Sequence, residues 1–506
     1  MSVTSIDPPT STTAPGRGLM RMLQSFWLTV AFALAFGFAF QGSRGLWETD
    51  EGRYTQVAME MLRSGDFITP RRHRHHIHPT KPPMTYWAIA SSVAQFGRNE
   101  WAVRAPSALA FGLTVGLLFG IGRRLTPALP GLPAALYATT ALSFFAANLV
   151  TTDTLLTLMT TLGVFGYVGA RWPLREGHRV WPWIVLMWAG FGLAFVTKGP
   201  PGLLPLAAII LFDALQSQRR TRQLFDPRGL LVFAVLGLSW YLAVVLRNPG
   251  LMTYLVEEEV VARVASSEHG RFPEWWGGFY VYGFTLLLGT LPWLPTLWQR
   301  AFQWPVTPAR WSALSTDAKF LATWIALPLV IFMLARSRLP LYLLPLFPAI
   351  ALVIARLWLL EPAKLARRIW WIPIVAVALV LIKGGSAHLK NNKDMRHFAK
   401  VIDRMVPYTP KEVVFIDESP RYGLGFYLDC PTEWVGLYDN QDVRYDDTLE
   451  NELLESEGKR LFLVRPENYD HFVARSKEFG HHVQRFGESH RFVIAGARRD
   501  SDNRRN

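Results

Sequence analysis

Eleven stretches of this chain run without a single Asp, Glu, Lys or Arg and are dominated by apolar side chains: 26–41, 105–122, 125–150, 154–170, 180–197, 199–212, 229–246, 275–298, 320–335, 339–355 and 369–382. A bilayer core about 30 Å thick takes roughly 20 helical residues per crossing, so runs of this kind imply a mainly α, polytopic bundle of about eleven spans. Composition agrees, with 50% hydrophobic and 18% charged residues and 20 Trp in 506 residues, more apolar content than one soluble core needs. The run at 199–212 is short and holds three prolines, so it reads as either a span or a re-entrant segment; it is kept as a span. The run at 26–41 reads as an uncleaved anchor.

Net charge is +14. The arginines punctuate apolar runs and do not gather on a soluble module, which argues for anionic lipid as the counter-charge and against nucleic acid. With one cysteine, Cys430, the chain has no internal disulfide framework and no cysteine metal cluster. Basic residues orient the bundle. The loops at 123–124, 171–179, 213–228, 299–319 and 356–368 hold 16 Lys+Arg against 5 Asp+Glu, whereas the opposite segments hold 15 against 12, so the first set is cytoplasmic.

The expected layout is a disordered cytoplasmic N-terminus (1–25), a transmembrane domain (26–384) with a long first outer loop (43–104), an outer α/β domain (385–495) and a disordered tail (496–506). In the loop, Tyr54, Val57, Ala58, Met61 and Leu62 form one apolar stripe, predicting an amphipathic helix on the membrane surface. A second helix is predicted over 82–96. In the last part, EVVFID, EWVGLY, RLFLVR and HRFVIAG read as strands, alternating with helices at 394–406, 446–457 and 467–479.

Candidate chemistry gathers on the outer face. Asp50 and Glu51, followed by Arg53, open the stripe helix. A carboxylate there serves as general base or holds a cationic acceptor; equally, it is an acidic helix start that suits the macrodipole. Lys81-Pro82-Pro83 sets a cation beside free N–H groups at a helix start, a phosphate-binding arrangement, with an interfacial snorkelling lysine as the alternative. Lys198 ends one run, and Arg336 and Arg338 precede Leu339-Pro340-Leu341-Tyr342. Positive residues are disfavoured on this face, and their recurrence points to an anionic ligand. Asp153 is a second outer carboxylate or a helix cap. Glu257, Glu258, Glu259, Glu268 and His269 lie in a later outer loop, where the acidic triplet reads as a solvated face. His73, His75, His76 and His78 are too irregularly spaced to assign a metal.

WETDEGRYTQVAMEMLRSGDFITP, TKPPMTYW, EWAVRAPSAL, TTDTLLT, FVTKGPPGLLPL, EHGRFPEWW and RSRLPLYLLPLFP together resemble membrane transferases of the C-type glycosyltransferase superfamily. Among these the chain is similar to the aminoarabinose transferase group, relatives of the dolichyl-phosphate-mannose protein mannosyltransferases. It departs at Thr80, where that group has an acidic residue, at Arg338, where it often has Lys, and in the His-rich insert. The resemblance implies transfer with inversion, on the periplasmic face of a bacterial inner membrane, from a sugar-bearing undecaprenyl phosphate to lipid A, another glycan or a protein. Asp50 and Asp153 then fall on catalytic positions, and Lys81, Lys198, Arg338 and Tyr342 on donor-phosphate positions, with Glu51, Arg53 and His269 as further candidates. No cofactor is implied as required; fixed cations can replace a divalent metal, which stays an open alternative. The rival expectation is a secondary transporter or flippase for an anionic lipid-linked substrate. It is weakened by apolar runs free of ionisable residues at mid-membrane depth.

Overall fold

The computed structural model describes residues 14–72, 77–78, 80–216, 221–256, 271–301, 307–389, 391–438, 447–454 and 459–499. His73, His75, His76, the acidic triplet 257–259, Glu268, His269, most of the N-terminus and the end of the tail lie outside them. The chain divides into two compact units, Met1–Gln41, Thr80–Thr85 and Arg104–Gly384 in the first, and Gly42–Pro79, Tyr86–Val103 and Gly385–Asn506 in the second. Most of the first outer loop thus packs with the C-terminal region, whereas its Thr80–Thr85 segment, with Lys81, belongs to the first unit.

Wholly or mostly in the first unit, the helices Glu100–Leu125, Trp181–Lys198, Pro227–Arg247, Thr316–Leu334, Pro340–Leu359 and Pro362–Ser386 are each long and apolar enough to cross a membrane. Gly18–Gln24 and Phe26–Phe38, bent by 100°, make a seventh if taken together. Among the described residues, four of the eleven apolar runs, 125–150, 154–170, 199–212 and 275–298, give no such helix, and two of them are broken locally. The run 125–150 is broken into Leu132–Ala138 and Ala141–Ala146, because Pro127, Pro130 and Pro133 keep the first part from one continuous helix and Thr139 and Thr140 separate the two pieces. Both threonine hydroxyls bond back to carbonyls of the preceding turn, Thr139 to Ala135 at 2.7 Å and Thr140 to Leu136 at 2.6 Å. The run 199–212 forms a 3-10 turn and an 11-residue helix, Leu204–Ala214.

The helices Thr152–Arg171 and Trp181–Lys198 pack antiparallel through glycines. A Cβ at Gly166 would strike the backbone of Met187, and one at Gly190 the backbone of Gly163. Small residues let the two backbones approach where lipid supplies no hydrophobic drive.

The second unit is built on a six-stranded sheet, β1 Glu412–Ile416, β2 Thr432–Gly436, β3 Asp447–Thr448, β4 Arg460–Val464, β5 His481–Ser489 and β6 Phe492–Arg499, in the order β3-β2-β1-β4-β6-β5. The first four are parallel; β6 runs antiparallel to β4 and to β5. Successive residues of one strand face opposite sides, and both sides are apolar. Val413 and Phe415 pack with Phe398, Ile402 and Leu424; Val414 and Ile416 pack with Leu449, Leu453 and Phe472. The predicted strands become β1, β2, β4 and β6, and the predicted helices become Met395–Met405, Leu449–Leu454 and Tyr469–Glu478.

The stripe helix exists as Asp50–Ser64, yet its polar side is covered too: Thr55, Gln56 and Glu60 are buried along with Val57, Ala58 and Met61. A helix lying on a bilayer leaves that side to water. Here Gln56 Nε2 instead donates to the Arg72 carbonyl at 3.1 Å, and the helix packs on Gly423–Leu428.

Candidate functional site

Asp153 is the second residue of the Thr152–Arg171 helix and Lys198 the last of Trp181–Lys198, so the glycine-lined antiparallel packing puts them at one end of the pair. They form an ion pair with both side chains nearly buried, 8% and 7% exposed. The Lys198 ammonium also stands 4.1 Å above the Tyr342 ring. A cation desolvated against an aromatic face gains on the order of 2 kcal/mol. Past Lys198, Gly199 takes a left-handed backbone (φ 70°), which turns the chain into the 3-10 segment Pro200–Leu203.

Arg338 is 2% exposed and spends most of its donors on main chain. Its guanidinium donates to the carbonyls of Phe272, Glu274 (2.8 Å) and Met333 (3.0 Å), the last an orphan at the C-terminal end of Thr316–Leu334. Its Nε–H has no hydrogen-bond partner among the described residues. Tyr282 lies within electrostatic reach of both Tyr342 and Arg338. Three sequence candidates, Asp153, Lys198 and Tyr342, therefore meet directly, and Arg338 stands in the same neighbourhood. Lys81, in the same unit, is half-buried just ahead of the Met84–Phe96 helix, where the sequence placed it.

In the second unit Asp50 opens its helix and pairs with Arg53 at 2.6 Å, its side chain 48% exposed. Glu51 turns inward to a two-pronged pair with Arg44 at 2.6 and 3.1 Å and accepts the Trp47 N–H at 2.9 Å. The Arg44 guanidinium lies 4.0 Å over the Trp47 ring. Glu51 thus braces the segment that presents Asp50. Glu48 accepts the Gly423 N–H, while its other oxygen is buried with no hydrogen-bond partner among the described residues. Burial pushes its pKa up to about 8, against the pull of the Gly423 N–H and Arg421.

Sequence reading missed Arg44, Glu48 and Lys383. Lys383 is buried, donating to the Gly37 carbonyl at 3.0 Å and to Gln41 Oε1 at 2.9 Å, so it caps the C-terminal end of Phe26–Phe38. It stands one position beyond the apolar run 369–382, with no local pattern to mark it. A further acidic group, Glu412, Glu433 and Glu452, brings three carboxylates within 4.8 Å of one another. Arg460 pairs with Glu412 at 3.1 Å and Glu452 at 3.3 Å and supplies the cation there.

Comparison with known proteins agrees with the resemblance read from the sequence. Residues 80–247 match the family described as dolichyl-phosphate-mannose-protein mannosyltransferase. An undecaprenyl phosphate-alpha-4-amino-4-deoxy-L-arabinose arabinosyl transferase of Pseudomonas fluorescens is 32% identical over 320 residues, 62% of this chain and 56% of that protein. The match thus spans less than two thirds of the relative. Among solved structures, ArnT from Cupriavidus metallidurans bound to undecaprenyl phosphate superposes with a TM-score of 0.75 at 21% identity, over 93% of this chain and 97% of that one. The apo oligosaccharyltransferase of Archaeoglobus fulgidus follows at 0.51 and 12% identity, over 80% and 64%. The chain shares its fold with these two solved structures.

Proposed function

We propose that this protein is an inverting membrane glycosyltransferase that moves a sugar from a polyprenyl phosphate carrier, undecaprenyl phosphate in bacteria, to an extracytoplasmic acceptor: lipid A, another glycan or a protein. The observation that carries the reading is the desolvated Asp153–Lys198–Tyr342 cluster with Arg338 beside it, in a chain that shares its fold with a protein solved with undecaprenyl phosphate. When the sugar C1–O bond breaks, negative charge collects on the departing phosphate, and Lys81, Lys198 and Arg338 offer preorganised cations for it. Asp50 accepts the proton of the attacking acceptor hydroxyl. Asp153 holds Lys198 in place and marks the acceptor side. These cations take the part a divalent metal plays elsewhere, so the reaction runs without one. The bundle makes eleven crossings, with the site on the periplasmic face of the inner membrane.

The test is transfer by the purified protein in lipid, with a sugar-bearing undecaprenyl phosphate donor and lipid A or envelope glycan as acceptor, read by mass spectrometry. Asp50→Asn keeps the shape and removes the base, so turnover is expected to fall by about two orders of magnitude or more while membrane expression persists. A chelator is expected to leave turnover unchanged. Near wild-type turnover of Asp50→Asn removes Asp50 from the mechanism, and no product with any of these acceptors overturns the reading.

A further inference from the structure

The C-terminal unit carries a pair of histidines that the transfer reaction does not use. His397 sits in the first turn of Met395–Met405, and His490 lies in the turn joining β5 to β6, 93 residues later. His490 has a left-handed backbone (φ 51°), as does Arg491 (φ 70°), so the turn geometry fixes where the ring emerges. The ring stacks on Phe398, centroids 4.3 Å apart and 22° between planes. Its Nδ1 lies 2.7 Å from Ser489 Oγ. Stacking and hydrogen bond together aim its other nitrogen, Nε2, at Nδ1 of His397, 3.4 Å away.

That separation is long for an N–H donor bond, which would draw the nitrogens to about 2.9–3.0 Å. It matches a shared metal ion. Two imidazoles bound tetrahedrally at about 2.0–2.1 Å hold their ligating nitrogens ~3.4 Å and their ring centres ~5.2 Å apart. The observed ring centres are 5.3 Å apart. Both separations are those that one shared ion would impose.

The geometry points to a two-histidine site on the C-terminal unit for a divalent transition ion of the zinc, nickel or copper class, with His397 Nδ1 and His490 Nε2 as its protein ligands. Imidazole nitrogen suits these ions and not magnesium or calcium. Ser489 supplies the outer hydrogen bond that fixes the ring and tautomer of a ligating histidine. The Asp394 carboxylate lies close enough to act on His490, although its Oδ1 is engaged by the N–H groups of Arg396 and His397 at the helix start. Water fills the remaining positions. The ion would clip the helix before β1 to the β5–β6 hairpin, so it binds the folded unit alone and stabilises it by mass action.

The test uses full-length protein in detergent, stripped of metal and titrated with Zn2+ against a chromophoric chelator. The variants are His397→Gln and His490→Asn, asparagine being tolerated at a left-handed position, and His75→Gln/His76→Gln serves as a control for the histidine-rich loop. Wild type and control are expected to bind one equivalent that both site variants lack, with affinity in the range of about 10 µM or tighter. Zinc should raise the melting temperature of wild type and control and leave that of the site variants unmoved. The proposal is overturned if both site variants keep the full stoichiometry, or if wild type binds only at millimolar zinc, which would mean an adventitious ion only.

Discussion

Asp153 and Lys198 are the pair on which the reading of the site depends most, and each is costly to leave alone. Removing one partner of a buried ion pair strands the other charge at a cost of about 3–5 kcal/mol, while replacing both with apolar groups of similar size is often neutral. Asp153→Asn and Lys198→Met should therefore each lower the melting temperature markedly, and the double variant Asp153→Leu/Lys198→Met should recover most of the loss without recovering transfer. Additive losses would mean that the two residues do not interact. Glu48 makes the opposite kind of prediction. Its pKa is raised from 4.5 to about 8, so near neutral pH the folded state holds a proton that the unfolded state has released. The stability it contributes is full below about pH 4.5 and is lost as pH rises through about 8. Glu48→Gln, which resembles the protonated acid, should flatten the fall in melting temperature between those limits, and an unchanged slope would place the carboxylate in its ionised form. The sequence displayed Lys198 and Asp153 because each borders an apolar run, and Asp50 because it opens the stripe helix. It hid Glu48 and Arg44, whose environment is made by a helix start 375 residues away and by a bidentate pair that no local spacing announces.

The elements were legible where a single period governed them. β1 and β4 alternate between two apolar cores, and the helix over Asp50–Ser64 follows its stripe, so pattern alone located them. β5 is largely polar on an edge and carries little such signal. The run 125–150 looked continuous because hydropathy averages over the prolines and the threonine pair that break it. Nor could hydropathy show the close approach of Thr152–Arg171 to Trp181–Lys198, although the glycines that permit it were in plain sight. This packing is expected to be intolerant of bulk. Gly190→Val would press a branched side chain into the Gly163 backbone and should cost about 1–3 kcal/mol or more, displacing Lys198 from Asp153 and depressing both thermal stability and transfer. Gly283 faces open space, so Gly283→Ala is the matched control and should be neutral in both measurements.

At the scale of the molecule, the second unit constrains the path of the chain through the membrane. Its two contributions, the first loop and the region after 384, are joined by direct bonds: Glu48 accepts from Gly423, Arg396 pairs with Glu100 at 2.6 Å, and Tyr427 hydroxyl accepts from the Leu46 N–H at 2.8 Å. Segments bonded in this way lie on one side of the membrane, so the chain between them crosses an even number of times. Ten apolar runs occupy that interval, in keeping with the parity, and the two doubtful ones, 125–150 and 199–212, must both cross or both fail if the remaining eight cross. Charge counting alone did not have this constraint, because a single lost span would have inverted the C-terminal region without contradiction. Thiol labelling of intact cells tests it on a quiet background. The native Cys430 is 2% exposed, and burial pushes its pKa up to about 12, so the thiolate that reacts is scarce. Gln95→Cys in the first loop and Lys477→Cys in the α/β unit are both at exposed positions and should react with a membrane-impermeant maleimide to the same extent. Arg175→Cys, also exposed and in a loop of the basic set, should react only after the membrane is opened. Labelling of Gln95→Cys without Lys477→Cys would break the even count, and labelling of Arg175→Cys in intact cells would reverse the orientation.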